Sequence, residues 1–141
     1  MHNIQNALAA ISIGINLGFN KIVIAQGLSD FQGVNRRFTK IATHNGVTII
    51  DDYAHHPTEV KATLQTAQQS VKDTSGKINI IFQPHRYSRL QSFLDDFAES
   101  FRSADNVFIA DVYSAGEDPI EGIDKHALVS AIKDKGFKTV F

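Results

Sequence analysis

The chain has 141 residues, of which 43% are hydrophobic and 21% are charged. This length and balance are typical of one globular domain with at most a short piece of a neighbour, and they exclude a disordered or fibrous protein. A formal net charge of -1 and the absence of cysteine exclude a broadly basic nucleic-acid surface, disulfides and thiolate metal sites.

The N-terminal stretch predicts two helices. Apolar residues recur at helical spacing from Ile4 to Phe19, and Gly18 stands where such a helix would end. The stretch contains polar residues, lacks a preceding basic segment and is too short to cross a bilayer. We therefore interpret it as a buried helix and not as a signal peptide or a membrane span. A second helix is predicted over Lys21–Leu28.

A linker and a β-hairpin are predicted next. Turn-forming residues dominate Ser29–Asn35, so residues 1–32 are predicted to be an appendage and residues 33–141 a separate domain. The predicted hairpin strands, Arg37–Thr43 and Val47–Ile50, flank an Asn-Gly pair that tolerates positive φ at both turn positions.

Helices and strands alternate after the hairpin. A helix is predicted to begin at Pro57, which is tolerated in a first helical turn. The apolar run Ile78–Phe82 predicts a strand covered on both faces, and Val107–Ala110 predicts another short buried strand. Between them, a wide apolar stripe from Leu90 to Phe101 predicts one helix, begun by a Ser-x-x-Gln capping box at residues 88–91.

The end of the chain continues this alternation. Asp124 is predicted to cap a helix that Gly136 ends, and Thr139–Phe141 begins a last strand. Strands that alternate with helices of this length predict an α/β fold with a mostly parallel sheet and flanking helices.

Three polar clusters directly follow predicted strands, at residues 51–57, 83–89 and 111–117. Ligands bind at the carboxyl ends of parallel strands, so we expect the three clusters to share one edge of the sheet. The opposite connections, residues 72–77 and 103–106, are small polar turns. An edge rich in arginine and histidine suits an anionic ligand such as a carboxylate or a phosphate.

Each cluster also has a structural interpretation. Either Asp51 or Asp52 could cap its loop, and His85 could serve only in hydrogen bonding. Adjacent His55 and His56 point in different directions, so one could act in the site while the other packs or caps the helix.

The arginines of the second cluster favour a bound anion. Arg86 and Arg89 are predicted to lie in the first turn of a helix, where positive charge opposes the helix dipole. A solvated helix face is the alternative interpretation.

A metal site and a catalytic serine are two further alternatives. The metal ligands would be His55, His56, His85, Asp52 and Asp111, but no spaced signature such as H-E-x-x-H supports them. Ser88 and Ser114 lack the glycines of a nucleophile elbow.

Five runs of sequence, in the same order, resemble motifs of the Mur ligase family, in particular of the ligases that join L-alanine to UDP-N-acetylmuramic acid. They are HNxxNALAA at residues 2–10, FQGVxRRF at 31–38, DDYAHHPTE at 51–59, FQPHRYSR at 82–89 and VYxAGExPI at 112–120. The resemblance covers nearly the whole chain.

The resemblance implies a reaction and a domain plan. These bacterial cytoplasmic enzymes use ATP to phosphorylate the muramic acid carboxylate, and the amine of L-alanine attacks the acyl phosphate during peptidoglycan precursor synthesis. Residues 1–32 would be the last helices of the central ATPase domain. Residues 33–141 would be the Rossmann-like C-terminal domain, and we expect its last strands to be absent.

The resemblance also assigns roles on the nucleotide side. Asn3 and Asn6 match asparagines near the adenine. Arg37 matches an arginine close to the nucleotide phosphates, and Asp52 matches an acidic residue at the ribose.

The amino-acid pocket would be formed by Tyr53, His55, Arg86 and Arg89. In this interpretation Arg89 clamps the alanine carboxylate, and His55 contacts the amine as the catalytic residue. Fixing both ends of alanine aligns its lone pair on the acyl phosphate, and such positioning contributes about 7 to 11 kcal/mol.

The sequence also departs from the family. No G-x-x-x-x-G-K-[ST] loop for ATP is present, and the Mg²⁺ ligands and the UDP-sugar domain are missing. We therefore expect no ligase activity from this polypeptide alone, no tightly bound ATP or Mg²⁺, and no metal site of its own. The alternatives are a stand-alone nucleotide or amino-acid binding module, the related ligase that recycles a whole peptide, and a metal-dependent hydrolase.

The expected partners are L-alanine, ATP and UDP-N-acetylmuramate in the full enzyme, with no nucleic acid and no membrane. Self-association is a further expectation, because Ile4, Leu8 and Ile11 would form an exposed apolar face if the first helices lack the rest of their domain.

Overall fold

A computed structural model describes residues 2–31 and 33–141, with side chains in the first helix described from residue 4 onward. Contacts divide the chain into a first unit that ends at Asn35 and a second unit, Arg36–Phe141. The division falls close to the linker predicted from the turn-forming residues. That the first unit is the end of an ATPase domain stays a prediction.

The first unit consists of two helices, α1 (His2–Asn16) and α2 (Lys21–Ser29). Gly18 follows α1 with a φ of 79°, a conformation that glycine adopts at no steric cost. The side chain of Asn20 accepts a hydrogen bond from the backbone N–H of Ile22 and so caps α2. Both predicted helices are confirmed.

The prediction that the first helix is buried is wrong for this chain. Ile4 is 67% exposed and Leu8 is 57% exposed. The two helices do approach each other closely, since a Cβ at Gly14 would lie 3.0 Å from the side chain of Ile24. Two short helices nevertheless have too little surface to cover each other. None of the described helices has the length and apolar character that a bilayer span requires.

The second unit opens with the predicted hairpin. Its strands are β1 (Thr39–His44) and β2 (Val47–Asp51), which pair antiparallel. Asn45 and Gly46 have φ values of 48° and 79°, as the Asn-Gly turn predicts. The first strand begins two residues later than predicted, because Phe38 has a φ of 51° and cannot extend the ladder.

The remaining strands form the predicted parallel arrangement. β3 (Asn79–Phe82) and β4 (Asn106–Ile109) pair parallel and in register. Val140 continues the ladder beside Val107, whose N–H donates to the carbonyl of Thr139 at 3.0 Å. This α/β architecture confirms the predicted fold class.

Four helices flank the parallel strands. They are α3 (Pro57–Val71), α4 (Tyr87–Ser92), α5 (Leu94–Ser100) and α6 (Lys125–Asp134). As predicted, Pro57 opens α3. The carboxylate of Asp124 caps α6 by accepting the N–H of Ala127 at 2.8 Å, and Gly136 follows this helix with a φ of 87°.

The single helix predicted between the strands is wrong. Phe93 interrupts it with φ -127° and ψ 24°, so α4 and α5 are separate helices. The predicted capping box is also wrong, because the N-cap residue is Arg86 and both donors of Ser88 are taken by Glu117.

One hydrophobic core holds the second unit together. Its members come from the helices, the parallel strands and the last residues of the chain: Val60, Leu64, Phe82, Leu90, Phe97, Ala98, Phe101, Ala104, Val107, Ile109, Leu128, Ile132 and Val140. All of these residues belong to the second unit. The ring of Phe82 packs against those of Phe97 and Phe101 at 5.4 and 5.3 Å between centroids.

The parallel strands bury one face only, which corrects the prediction of a strand covered on both faces. Ile81 is 81% exposed, Phe108 is 41% exposed and Phe141 is 64% exposed, although the last two rings stack at 5.1 Å. Alternate residues of a strand point to opposite faces, and the described helices bury the face that carries Phe82 and Val107.

Candidate functional site

The polar loops that follow β2 and β3 lie side by side. The ring centroids of His55 and His85, one from each loop, are 6.2 Å apart. Tyr53 contacts His55 at 5.0 Å, and Tyr113, from the loop after β4, contacts His85 at 5.2 Å. The three sequence clusters therefore meet in one place. The second and third follow the parallel strands β3 and β4, whereas the first follows β2, which pairs with β1 in a separate two-stranded sheet.

Backbone hydrogen bonds fix the second and third loops to each other. The N–H of Arg86 donates to the carbonyl of Tyr113 at 2.8 Å, and the N–H of Tyr113 donates to the carbonyl of Pro84 at 2.8 Å. These bonds extend the parallel ladder beyond the strands, where His85 and Tyr113 form an isolated bridge. The loop backbone is thus hydrogen-bonded in the same manner as the parallel strands.

The imidazole of His55 has a defined tautomer. Its Nδ1 lies 2.9 Å from the carbonyl oxygen of Tyr53. Because a carbonyl only accepts, Nδ1 carries the proton, and Nε2 carries a lone pair when the ring is neutral. The same Nδ1 lies 3.5 Å from a carboxylate oxygen of Glu59. Nε2 can therefore accept a proton or a hydrogen bond from a ligand.

Glu59 holds the loop that carries His55. One carboxylate oxygen accepts the backbone N–H of His55 at 3.0 Å and that of His56 at 3.2 Å. Burial alone raises the pKa of Glu59, but these hydrogen bonds, the electrostatic effect of His55 when it is protonated and the charge of Arg37 outweigh it, and the pKa lies below its ordinary value. The carboxylate is therefore ionised at neutral pH.

His56 has a structural role. Its Nδ1 lies 3.0 Å from the hydroxyl of Thr58, and its ring meets the ring of Phe93 edge-on at 4.6 Å. Of the two adjacent histidines, His55 faces the other aromatic and basic side chains, and His56 packs against the protein.

His85 and Arg89 form the basic part of the site. A terminal nitrogen of Arg89 lies 3.3 Å from the carbonyl oxygen and 3.4 Å from the Nδ1 of His85. Burial lowers the pKa of His85, and the positive charges of Arg89 and Arg86 lower it further. At neutral pH the permanent positive charge of this region therefore belongs to the arginines.

The two arginines have different surroundings. A terminal nitrogen of Arg86 lies 3.7 Å from the carboxylate of Glu117, and its backbone has a φ of 73°, which is strained for a residue with a side chain. Within residues 2–31 and 33–141, no Asp or Glu lies within ion-pair distance of Arg89. Arg89 is thus the arginine best placed to take an external anion.

Arg36 and Arg37 lie at the entry of the hairpin. The Nε of Arg36 is 3.4 Å from the carboxylate of Asp51, and its guanidinium lies over the ring of Tyr53 at 4.9 Å. Arg37 has only a 3.8 Å ion pair with Glu59, and its side chain is more than half exposed. Arg37 can therefore bind a further anion with little loss of its own contacts.

Asp52 caps its own loop. One carboxylate oxygen accepts the N–H of Phe38 and the other accepts the N–H of Ala54, both at 2.8 Å. The first bond joins the loop to the start of the hairpin, where Phe38 has a positive φ. The sequence allowed either Asp51 or Asp52 to cap this loop, and in the structure Asp52 does so.

The remaining predicted residues are less informative. The side chain of Asn3 lies outside the described part of the chain, and Asn6 is an exposed residue of α1 in the first unit. In the part of the chain that the structure describes, no three His, Asp or Glu side chains come together as metal ligands would.

Comparison with known proteins identifies the family. Residues 36–141 match the Mur ligase, glutamate ligase domain. The chain belongs to the Mur ligase family. A UDP-N-acetylmuramate--L-alanine ligase of Rickettsia felis is 54% identical over 131 residues, which are 93% of this chain and 27% of that protein. Its Rickettsia rickettsii counterpart is 55% identical over the same length.

Two solved structures are similar to the chain. A UDP-N-acetylmuramate-alanine ligase of Thermotoga maritima matches with a TM-score of 0.78 and 32% identity, over 100% of this chain and 29% of that one. A murein peptide ligase of Psychrobacter arcticus matches with a TM-score of 0.68 and 26% identity, over 99% and 28%. The chain thus spans less than a third of the length of these relatives.

Sequence reasoning missed two carboxylates of this Mur ligase domain. Glu59 stands three residues after His56, and this capping-box spacing is a local signal that could have revealed it. Glu117 had no such signal, because its partner Ser88 is 29 residues away in the sequence.

Proposed function

We propose that this chain supplies the amino-acid-binding, C-terminal part of an ATP-dependent ligase that joins L-alanine to UDP-N-acetylmuramic acid in bacterial peptidoglycan precursor synthesis. The observation that carries the proposal is that the rings of Tyr53, His55 and His85 contact one another in sequence and that His85 contacts Arg89, which has no carboxylate within ion-pair distance among the described residues. The similarity to the Rickettsia ligases supports the choice of substrate.

The site suits both ends of a small zwitterion. The guanidinium of Arg89 can donate two parallel hydrogen bonds to the alanine carboxylate. The Nε2 of His55 can accept a proton from the alanine ammonium, since its Nδ1–H is already directed at the carbonyl of Tyr53. Arg86 is the second binding arginine, at the rim, where Glu117 partly neutralises it.

The proposed chemistry is an amide synthesis. After one proton of the alanine ammonium has passed to His55, the neutral amine attacks the carbonyl carbon of the acyl phosphate. The C–N bond forms, the bond between the carbonyl carbon and the bridging phosphate oxygen breaks, and inorganic phosphate leaves with that oxygen and takes up the second proton of the amine. Positioning of the amine by Arg89 and His55 contributes about 7 to 11 kcal/mol to such a step.

The nucleotide side of the proposal involves fewer residues of this chain. Arg37 suits a phosphate because it is exposed and only weakly paired. The Asp52 carboxylate accepts two backbone N–H groups and retains further lone pairs for a ribose hydroxyl. Asn3 and Asn6 remain candidates for the adenine. ATP and Mg²⁺ would be held mainly by other parts of the whole ligase, so we expect no ligation by this chain alone.

A chimera tests the proposal. The segment of the Thermotoga maritima ligase that matches this chain is replaced by this chain, and phosphate release is measured with UDP-N-acetylmuramate, ATP and L-alanine. We expect activity, and we expect Arg89→Met to raise the KM for alanine roughly 10- to 100-fold, because a charge-assisted hydrogen bond contributes about 1.5 to 3 kcal/mol. The KM for ATP should change little.

Arg102→Met is the matched control, since Arg102 pairs with Glu99 on the surface of α5. Equal effects of the two substitutions would refute the assignment of Arg89. A chimera that prefers a peptide to alanine would favour the recycling ligase, the second candidate, which the similarity to the Psychrobacter arcticus structure supports. Alanine binding by this chain with an inactive chimera would favour a stand-alone binding module.

A further inference from the structure

Glu117 joins the loop after β4 to the start of α4. One of its carboxylate oxygens accepts the backbone N–H of Ser88 at 3.0 Å, and the other accepts the hydroxyl of Ser88 at 2.7 Å. The second oxygen also lies 3.7 Å from a terminal nitrogen of Arg86. A single carboxylate thus contacts both the N-cap residue of α4, Arg86, and the second residue of that helix, Ser88.

The backbone at this junction is strained on both sides. Arg86 has a φ of 73°, and Ala115, two residues before Glu117, has a φ of 50°. Residues with side chains avoid these conformations unless the surroundings enforce them. The hydrogen bonds of Glu117 are the side-chain contacts that hold the two strained segments together.

Glu117 also gives the two arginines different electrostatic surroundings. The hydrogen bonds from Ser88 and the charge of Arg86 hold the pKa of Glu117 below its ordinary value, so the carboxylate is ionised at neutral pH. The charge of Arg86 is thereby partly neutralised. Arg89 lies next to His85 and has no carboxylate within ion-pair distance among the described residues.

We propose that Glu117 is a positioning residue, which fixes Arg86 and the first turn of α4 so that Arg89 contacts His85, beside the ring of His55, as the principal anion-binding group. The identity of the anion, the alanine carboxylate, rests on the proposed function. The positioning itself rests on the contacts of Glu117 alone.

The direction in which one substitution changes the affinity for the anion distinguishes a positioning role from a purely electrostatic one. Glu117→Gln removes a negative charge from the neighbourhood of the anion site. If charge alone matters, anion affinity rises, because repulsion is removed. If Glu117 positions the arginines, anion affinity falls, because the geometry is lost.

The experiment uses the full 141-residue chain, labelled for NMR. Asp118→Asn is the matched control, because Asp118 is exposed, adjacent and of the same charge. In Glu117→Gln we expect the Ser88 amide to exchange at least about 10-fold faster with solvent, as local opening becomes easier. L-alanine should bind roughly 5-fold or more weakly, since a charged contact that orients the site is lost. The control should match the wild type in both measurements.

Each result decides the inference. Tighter alanine binding in Glu117→Gln, or a Ser88 amide that behaves as in the control, overturns it. If the wild-type chain does not respond to alanine, the proposed function fails for the isolated chain, and the Ser88 amide alone decides the positioning role. If Glu117→Gln does not fold, Ser88→Ala, which removes only the hydroxyl bond, should still speed exchange at the start of α4; an unchanged rate overturns the inference.

Discussion

The protonation of His85 depends on the arginines around it. Burial lowers its pKa, and Arg89 and Arg86 lower it further, so its neutral form predominates at neutral pH. A His with a folded-state pKa below the unfolded value contributes its full stability above the unfolded pKa. That contribution is lost as the pH falls through the folded pKa.

Removal of one arginine should therefore change this titration. We expect Arg89→Met to raise the pKa of His85 towards its ordinary value, because one positive charge beside the ring is lost. The measurement is the NMR titration of the His85 ring proton, with Arg102→Met as the control. A pKa that stays the same or falls in Arg89→Met would show that the charge of Arg89 does not lower the pKa of His85.

The two adjacent aspartates at the end of β2 should differ in their effect on stability. Asp52→Ala leaves the N–H groups of Phe38 and Ala54 without their acceptor, at a cost of about 1 to 3 kcal/mol. Asp51→Ala breaks only an exposed ion pair with Arg36 and should cost less than about 1 kcal/mol. Urea unfolding of both variants measures the difference. Equal losses would contradict the capping role of Asp52.

At the scale of secondary-structure elements, the sequence correctly predicted the turns and helix ends that depend on neighbouring residues. The Asn45-Gly46 turn, the Pro57 start of α3 and the Asp124 cap of α6 depend on residues within a few positions, and all three are confirmed. The break at Phe93 and the contacts of Glu117 depend on packing between distant segments. The apolar pattern before Phe101 is the same for one helix as for two, so the sequence could not reveal the break.

The candidate site was predictable to a similar extent. The order of strands and polar loops predicted that His55 and His85 lie close together, and they do, although β2 pairs with β1 in its own sheet and not with the parallel strands as the prediction assumed. The sequence predicted a difference between His55 and His56 and, through the family resemblance, selected His55 and Arg89, but the physical origin of each difference was not predictable. It depends on contacts with Phe93 and Glu117 that only the folded chain provides.

Shortening a side chain to alanine should reduce the free energy of unfolding much more on one face of the parallel strands than on the other. Val107 is fully buried, so Val107→Ala should cost about 2 kcal/mol in the free energy of unfolding. Ile81 is 81% exposed on the other face, so Ile81→Ala should cost less than about 0.5 kcal/mol. Chemical unfolding at low protein concentration measures both. Equal costs would show that something covers Ile81 in solution.

At the scale of the whole molecule, the core lies entirely in the second unit. No described side chain between residues 4 and 31 is buried, whereas every core residue falls between Val60 and Val140. We therefore expect residues 36–141 to fold without residues 1–35. The shorter chain should unfold cooperatively, with a Tm within about 5 °C of the full chain, because little buried surface is removed. Loss of cooperative unfolding would contradict this assignment of the core.

The first unit should instead determine self-association. Ile4 and Leu8 lie four residues apart on α1, so they share one helix face, and both are more than half exposed. Apolar faces of this kind drive association in water. We expect the full chain to sediment as a dimer or larger species, and residues 36–141 to sediment as a monomer. Leu8→Ser in the full chain should shift it towards the monomer, whereas Lys21→Ser should not.

If residues 36–141 associate as strongly as the full chain, the exposed strand face with Ile81 is responsible for the association. In that case Ile81→Thr should convert the assembly to monomers.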